Sequence, residues 1–293
     1  MNIPPFLAIF WKAATRFFED DATTLAGALA FTTLFAIPPV LLIIITLLGY
    51  ISGGYAVTAD MYEQITKLWG SRAAQTIRMA VDNYQLLQQG FITSLLGIGI
   101  FLVASSSFFA VIQHSLNRIW RVKPIPESNL FHLVKIRALS FLLIILLVFL
   151  QLVSVMLESV LIILREKISI IIPQINTPLF AATGLVTSFL LITLILATIY
   201  KLLPDVKIRW RIVWAGAAFT SLLFSLGKLV IGFVLSQSNL YSLYGVAGSI
   251  LVVLLWVYYS ALILFYGAEV TQQFGHYRGY PIEPKPYAVA VED

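Results

Sequence analysis

The sequence predicts an all-α polytopic membrane protein with six transmembrane helices and short amphipathic interfacial helices. Hydrophobic residues make up 59% of the chain, charged residues only 11%, and the mean hydropathy is +0.91. A water-soluble domain has no interior large enough for that much apolar surface. The apolar residues also gather into six runs, at 22–50, 91–113, 137–164, 179–203, 212–236 and 245–269. Each is long enough to cross the hydrocarbon core as a helix, which takes about 20 residues. A transmembrane β-barrel would alternate in polarity along each strand. Stretches such as Phe141–Leu150 (FLLIILLVFL) are apolar on every face, which excludes it.

Residues 1–21 precede the first run. From Pro4 to Phe18 they set Phe6, Ile9, Phe10, Ala13, Phe17 and Phe18 on one side and Lys12 and Arg16 on another. That pattern predicts an amphipathic helix floating in the membrane interface before Asp20 and Asp21 open the first span. Inside that span, Pro38 and Pro39 remove two backbone donors, so a kink or break is expected there, serving as a hinge or as static packing. Thr32 and Thr33 are placed to satisfy freed carbonyls. Residues 57–88 repeat apolar positions at Met61, Ile65, Leu68 and Trp69, then at Ala73, Ile77, Ala80 and Val81, with Gly70 and Ser71 between. They read as two short amphipathic helices on the outer surface, either a cap over helix ends or a binding surface. The segment 270–293 carries Pro281, Pro284 and Pro286 and is expected to be a flexible tail.

Orientation follows from the basic residues, which cytoplasmic loops retain in excess. With the N-terminus inside, Lys12, Arg16, Arg118, Arg121, Lys123, Lys135, Arg137, Lys201, Lys207, Arg209, Arg211, Arg278 and Lys285 fall on that side. Lys67, Arg72, Arg78, Arg165 and Lys167 fall on the other, and Lys228 lies within a span. Both termini are therefore predicted to be cytoplasmic. The first run follows a charged stretch and has no small-residue cleavage site, so it reads as an anchor. Six spans with short loops fit a bacterial inner membrane. The net charge of +5 reflects these flanks, with anionic headgroups as the expected partner and no nucleic acid.

Enzyme-type chemistry has little to stand on in this sequence. There is no cysteine, so disulfides and thiolate sites are excluded. The three histidines, His114, His132 and His276, share no short spacing with each other or with an acidic cluster. Metal-binding, phosphate-loop, nucleophile-elbow and dinucleotide motifs are all missing. Ser105, Ser106 and Ser107 have no adjacent base and suit helix packing. No catalytic residue, metal or cofactor is expected.

Polar side chains within the spans are more informative, because an ionisable group in hydrocarbon costs at least about 2.5 kcal/mol on insertion scales and usually faces inward. On the fifth span Ala217, Ser221, Ser225, Lys228 and Gly232 share one stripe; on the third, Ser140, Gln151, Ser154 and Glu158 do the same. At 1.5 Å per residue Glu158 lies about 31 Å and Lys228 about 24 Å from the inner ends of their helices, so a lysine side chain spans most of the difference. Two readings stay open for Lys228: pairing within a polar seam, or snorkelling to outer headgroups. Glu269, at the inner end of the sixth span, is either an ion site or a structural partner of a nearby Lys or Arg.

The residues also resemble a known family. Leu25–Val40 (LAGALAFTTLFAIPPV), Phe108–Trp120 (FFAVIQHSLNRIW), Tyr200–Arg211 (YKLLPDVKIRWR), Leu240–Gly248 (LYSLYGVAG) and Leu254–Glu269 (LLWVYYSALILFYGAE) are similar, in pattern and order, to the YihY/BrkB inner-membrane proteins. The resemblance covers nearly all of residues 25–269. It implies little about activity, since family members have carried labels as different as transfer-RNA ribonuclease and serum-resistance factor. A ribonuclease needs a metal cluster or an accessible acid–base pair, and this sequence offers neither. The family-level expectation compatible with the residues is movement of a lipid or other amphiphilic, anionic envelope substrate. Lys228, Glu158, Ser225, Ser221, Ser154 and Gln151 would form the seam, and Pro38 and Pro39 the hinge. The alternative is a non-transporting scaffold that docks envelope proteins. Ala26 and Ala30 would serve either a dimer or internal packing, which leaves the oligomeric state open.

Overall fold

A computed structural model describes residues 5–51, 107–125, 178–237, 246–280 and 282–291, together with helical positions at Thr66, Gln75, Arg78 and Val153. Among the described residues the fold is mostly helical. Its helices are α1 (Pro5–Glu19), α2 (Ala22–Ile51), α3 (107–119), α4 (Pro178–Leu202), α5 (Trp210–Gln237) and α6 (Val246–Tyr277). Four short strands are threaded between and after them: β1 (Val122–Pro124), β2 (Val206–Lys207), β3 (Glu283–Pro284) and β4 (Ala288–Ala290). Three stretches, Gly184–Leu202, Trp210–Ile231 and Ile250–Tyr277, are long and apolar enough to cross a membrane.

Four predicted spans correspond to α2, α4, α5 and α6, and α3 is the C-terminal end of the second, continuing to residue 119. The third predicted span and the outer segment 57–88 lie outside the described residues, apart from the four helical positions named above. Of the expected kink or break, the structure shows no break: helix α2 runs through Pro38 and Pro39 as one helix. Tandem prolines withhold only the donors due to the Leu34 and Phe35 carbonyls; the remaining bonds of the helix hold it together. The Thr32 and Thr33 hydroxyls bond the carbonyls of Ala28 and Leu29, at 2.7 Å each, and not the two carbonyls that the prolines leave free.

The chain forms two compact units. One comprises Thr24–Val111 and Leu229–Ala261, the other Met1–Thr23, Ile112–Lys228 and Leu262–Asp293. In the first, Leu25, Ala26, Leu29, Ala30 and Ala36 are buried while Phe31 and Phe35 are exposed, their rings edge-on with centroids 4.9 Å apart. The second unit holds most of the described polar interior.

Within that second unit α1 is docked rather than floating. Ile9 and Ala13 form a buried cluster with Val270 of α6, and Phe10, Phe219, Tyr266 and Phe274 pack around it. The Tyr266 hydroxyl donates to the Phe10 carbonyl at 3.3 Å. The helix ends where Asp21 takes a φ of 54°, a left-handed conformation that a short polar side chain tolerates.

The tail is also ordered where flexibility was predicted. Strand β4 pairs antiparallel with β1, setting Val122 opposite Ala290, and β3 pairs antiparallel with β2, setting Lys207 opposite Glu283. Further bonds run from the Ile125 N–H to the Tyr287 carbonyl and from the Lys285 N–H to the Asp205 carbonyl, at 2.9 Å each. Pro284 is the last residue of the two-residue strand β3, opposite Val206, and a strand edge is where proline is accommodated. The chain reaches these partners because α6 continues two turns past Glu269 and then reverses at Gly279, φ 69°. There the Gly279 N–H bonds the His276 carbonyl and the Tyr280 N–H bonds the Gly275 carbonyl, the paired pattern of a Schellman cap.

Candidate functional site

The stripe on α5 is partly a packing seam. Ala217 and Ser221 are fully buried, and the Ser221 hydroxyl donates to the Phe189 carbonyl of α4 at 3.1 Å. Thr193 of α4 donates to the same carbonyl at 2.7 Å. One turn further along α5, Ser225 donates back to the Ser221 carbonyl at 2.8 Å. These hydroxyl protons are committed to backbone acceptors, so the N-terminal half of the stripe is closed by hydrogen bonds. Lys228 is different. Its side chain is exposed, with Nζ 5.5 Å from the centroid of the Phe224 ring. Gln151, Ser154 and Glu158 lie outside the described residues.

Below the stripe, α5 and α6 cross at close range. Thr220 and Thr271 each bond the carbonyl four residues back on their own helix, Gly216 at 2.7 Å and Gly267 at 2.6 Å. Each threonine lies over the other helix's glycine: a Cβ on Gly216 would fall 1.8 Å from Thr271 Oγ1, and one on Gly267 would fall 1.9 Å from Thr220 Oγ1. The backbones approach because neither glycine has a side chain, as in small-xxx-small membrane crossings. Tyr200 of α4 joins this node. Its fully buried hydroxyl donates to the Leu264 carbonyl at 2.6 Å and sits 3.1 Å from Thr220 Oγ1. Sequence reasoning missed Tyr200, whose visible signal was a phenol inside a predicted span, where a buried hydroxyl must find a partner.

Glu269, singled out from the sequence, is fully buried, and neither carboxylate oxygen meets a hydrogen-bond donor. Asp20, Arg16 and Arg121 are the charged groups facing it. Two carboxyl groups and two guanidinium groups thus gather between the end of α1, the turn after α3, and α6. Thr271, Gln272 and Gln273, the residues just beyond it, are buried as well.

A second buried acid, Asp205, is a structural hub. Asp205, in the loop after α4, accepts from Asn117 Nδ2 at 2.7 Å and from Gln113 Nε2 at 3.2 and 3.3 Å, both on α3. Its own N–H donates to Asn117 Oδ1 at 2.8 Å. This reciprocal clamp satisfies a carboxylate that burial would otherwise penalise by several kcal/mol. His114 and His276 are exposed. Among the described residues no three His, Cys, Asp or Glu side chains gather to hold a metal ion.

Long apolar helices joined by buried hydroxyl-to-carbonyl bonds and a glycine-mediated crossing define a helical integral membrane protein. The chain belongs to the family described as virulence factor BrkB, which matches residues 13–290. It is 30% identical over 270 residues to a UPF0761 membrane protein of Alcanivorax borkumensis, covering 90% of this chain and 60% of that one. It is 26% identical over 281 residues to a UPF0761 membrane protein of Vibrio campbellii, covering 93% and 84%. A third such protein, from Delftia acidovorans, is 25% identical over 87% of this chain and 59% of its own. The chain thus spans about 60% of the length of the Alcanivorax and Delftia relatives. No solved structure matches it.

Proposed function

We propose that this protein is a six-span bacterial inner-membrane translocator, with both termini in the cytoplasm, that moves an anionic amphiphile such as a phospholipid and carries out no catalysis of its own. One observation supports the reading above the others: an exposed lysine, Lys228, inside a long apolar helix. It lies eighteen residues from the start of α5, about 27 Å along the axis, and Leu222 and Leu226 on the two turns before it are exposed. An ammonium group so placed is costly unless an anion or water meets it. An anionic headgroup that meets the ammonium, with its acyl chains left in the surrounding lipid, offsets that cost. Membrane lipids are then the natural partners.

The test is scrambling of labelled phospholipids in liposomes reconstituted with wild-type protein, Lys228→Ala or Glu158→Gln. Movement in wild type that falls at least ten-fold in Lys228→Ala supports translocation at this level of the helix. No movement in wild type, with and without an imposed proton gradient, rejects it and favours a scaffold that docks envelope proteins.

A further inference from the structure

At the start of α5 lies an open cavity of about 650 Å³ that plays no part in the reading above. Lys201, Lys207, Arg209, Trp210, Tyr280 and Glu283 line it, so three cations face a single carboxylate. Topology alone explains basic residues on the cytoplasmic side, but not their arrangement here. Lys201 Nζ donates to the Ile208 carbonyl and lies 5.5 Å from the centroid of the Trp210 ring, which fixes its position and leaves further N–H donors. The Arg209 guanidinium stacks on Tyr280, 4.1 Å from the ring centroid, so its flat face is covered while its N–H edge stays available. Lys207 is held opposite Glu283 by the β2–β3 ladder. Trp210 is the first residue of α5, where the positive end of the helix dipole falls.

We propose that this cavity binds a phosphate group, carried either by a lipid headgroup or by a soluble ion or ester. Its volume is in the range of small-molecule pockets and leaves room for a phosphate together with the group that carries it. The donors are of the kind that recognise phosphate: a planar guanidinium for two parallel bonds and two ammonium point charges. The far wall, Tyr280 and Glu283, comes from the segment after α6, so the site exists only when the tail is docked. This inference does not depend on translocation, and either can fail without the other.

The experiment uses the full chain in maltoside micelles, which contain no phosphate. In one arm inorganic phosphate is titrated against chloride at matched ionic strength, with thermal unfolding as the readout. In the other, phosphatidylglycerol is titrated against uncharged diacylglycerol. Stabilisation in either arm supports the site, and the arm that responds identifies the source. The Lys207→Gln, Arg209→Gln double variant should bind at least roughly ten-fold more weakly, since a charge-assisted bond contributes about 1.5–3 kcal/mol. Should the double variant fold poorly, Lys207→Gln replaces it, as Lys207 is an exposed strand residue. No stabilisation by either ligand, or equal response in wild type and variant, overturns the proposal.

Discussion

Gly267 and Thr220 share one volume of space at the crossing of α5 and α6: a Cβ on the glycine would lie 1.9 Å from the threonine's hydroxyl oxygen and 2.6 Å from the Tyr200 hydroxyl. Neither neighbour is the loose end of a long side chain, so Gly267→Ala must push the helices apart. The expected loss is about 1–3 kcal/mol, the usual range for overpacking, and more if the Tyr200 bonds break with it. Gly27→Ala is the control, because a Cβ there meets nothing within 4 Å. That change should leave stability unchanged or raise it by up to about 1 kcal/mol through helix propensity. Thermal unfolding of both variants in detergent checks the pair, and similar behaviour in the two would disprove the close crossing.

Asn117 makes two of the bonds that hold Asp205, one to the carboxylate and one from the backbone N–H. Asn117→Ala leaves a buried carboxylate with Gln113 as its remaining described side-chain donor, and also strands the N–H. The expected cost is about 2–4 kcal/mol, in line with breaking a buried charged network by removing one partner. Asn117→Asp should be worse, since it places a second carboxylate against the first. Chemical denaturation of the two variants gives the order, and a milder effect for Asp than for Ala would contradict the clamp.

Much of the helical frame was legible in the sequence, because a membrane span announces itself by length and hydropathy. The predicted 179–203 and 212–236 differ by one or two residues at each end from α4 and α5. The sixth run was cut short at Glu269 because hydropathy falls at Glu269, Gln272 and Gln273. Those side chains are buried among protein groups, so the helix continues to Tyr277. The tail was illegible for a different reason. Its strands are two and three residues long and exist only through partners about 80 and 170 positions away, which no local period reveals. Within the stripe the shared face of Ala217, Ser221 and Ser225 could be read from 100° spacing. The acceptor of Ser221, a carbonyl on α4, could not.

Tyr287 supplies a pH-dependent readout of the docked tail, outside the spans. Burial, and then the Asp205 carboxylate, push its phenol above the ordinary value of 10.0. The folded protein therefore favours the neutral phenol. That contribution to stability is complete below about pH 10, the unfolded value, and is lost as pH rises through the higher folded value. Tyrosinate absorbance titrations of wild type and Tyr287→Phe, subtracted from one another, isolate this group. The difference should titrate later than a free tyrosine; a midpoint at the ordinary value would mean that the tail is not held against Asp205.

The N-terminal helix presents two apolar surfaces, and their separation distinguishes docking from floating. Ile9, Ala13 and Phe17 are buried, Ala13 completely, whereas Leu7, Trp11 and Phe18 are 55%, 69% and 69% exposed. A helix that merely rests in the headgroups would accept a larger side chain at 13 and would be weakened by loss of Trp11, its strongest interfacial anchor. A docked helix behaves the opposite way in detergent. Ala13→Leu forces extra methylenes against Ile9 and Val270 and should cost about 1–3 kcal/mol. Trp11→Ala should stay within about 0.5 kcal/mol of wild type, as expected for an exposed position. Thermal unfolding of the two variants decides between these arrangements, because the order of their stabilities reverses from one to the other.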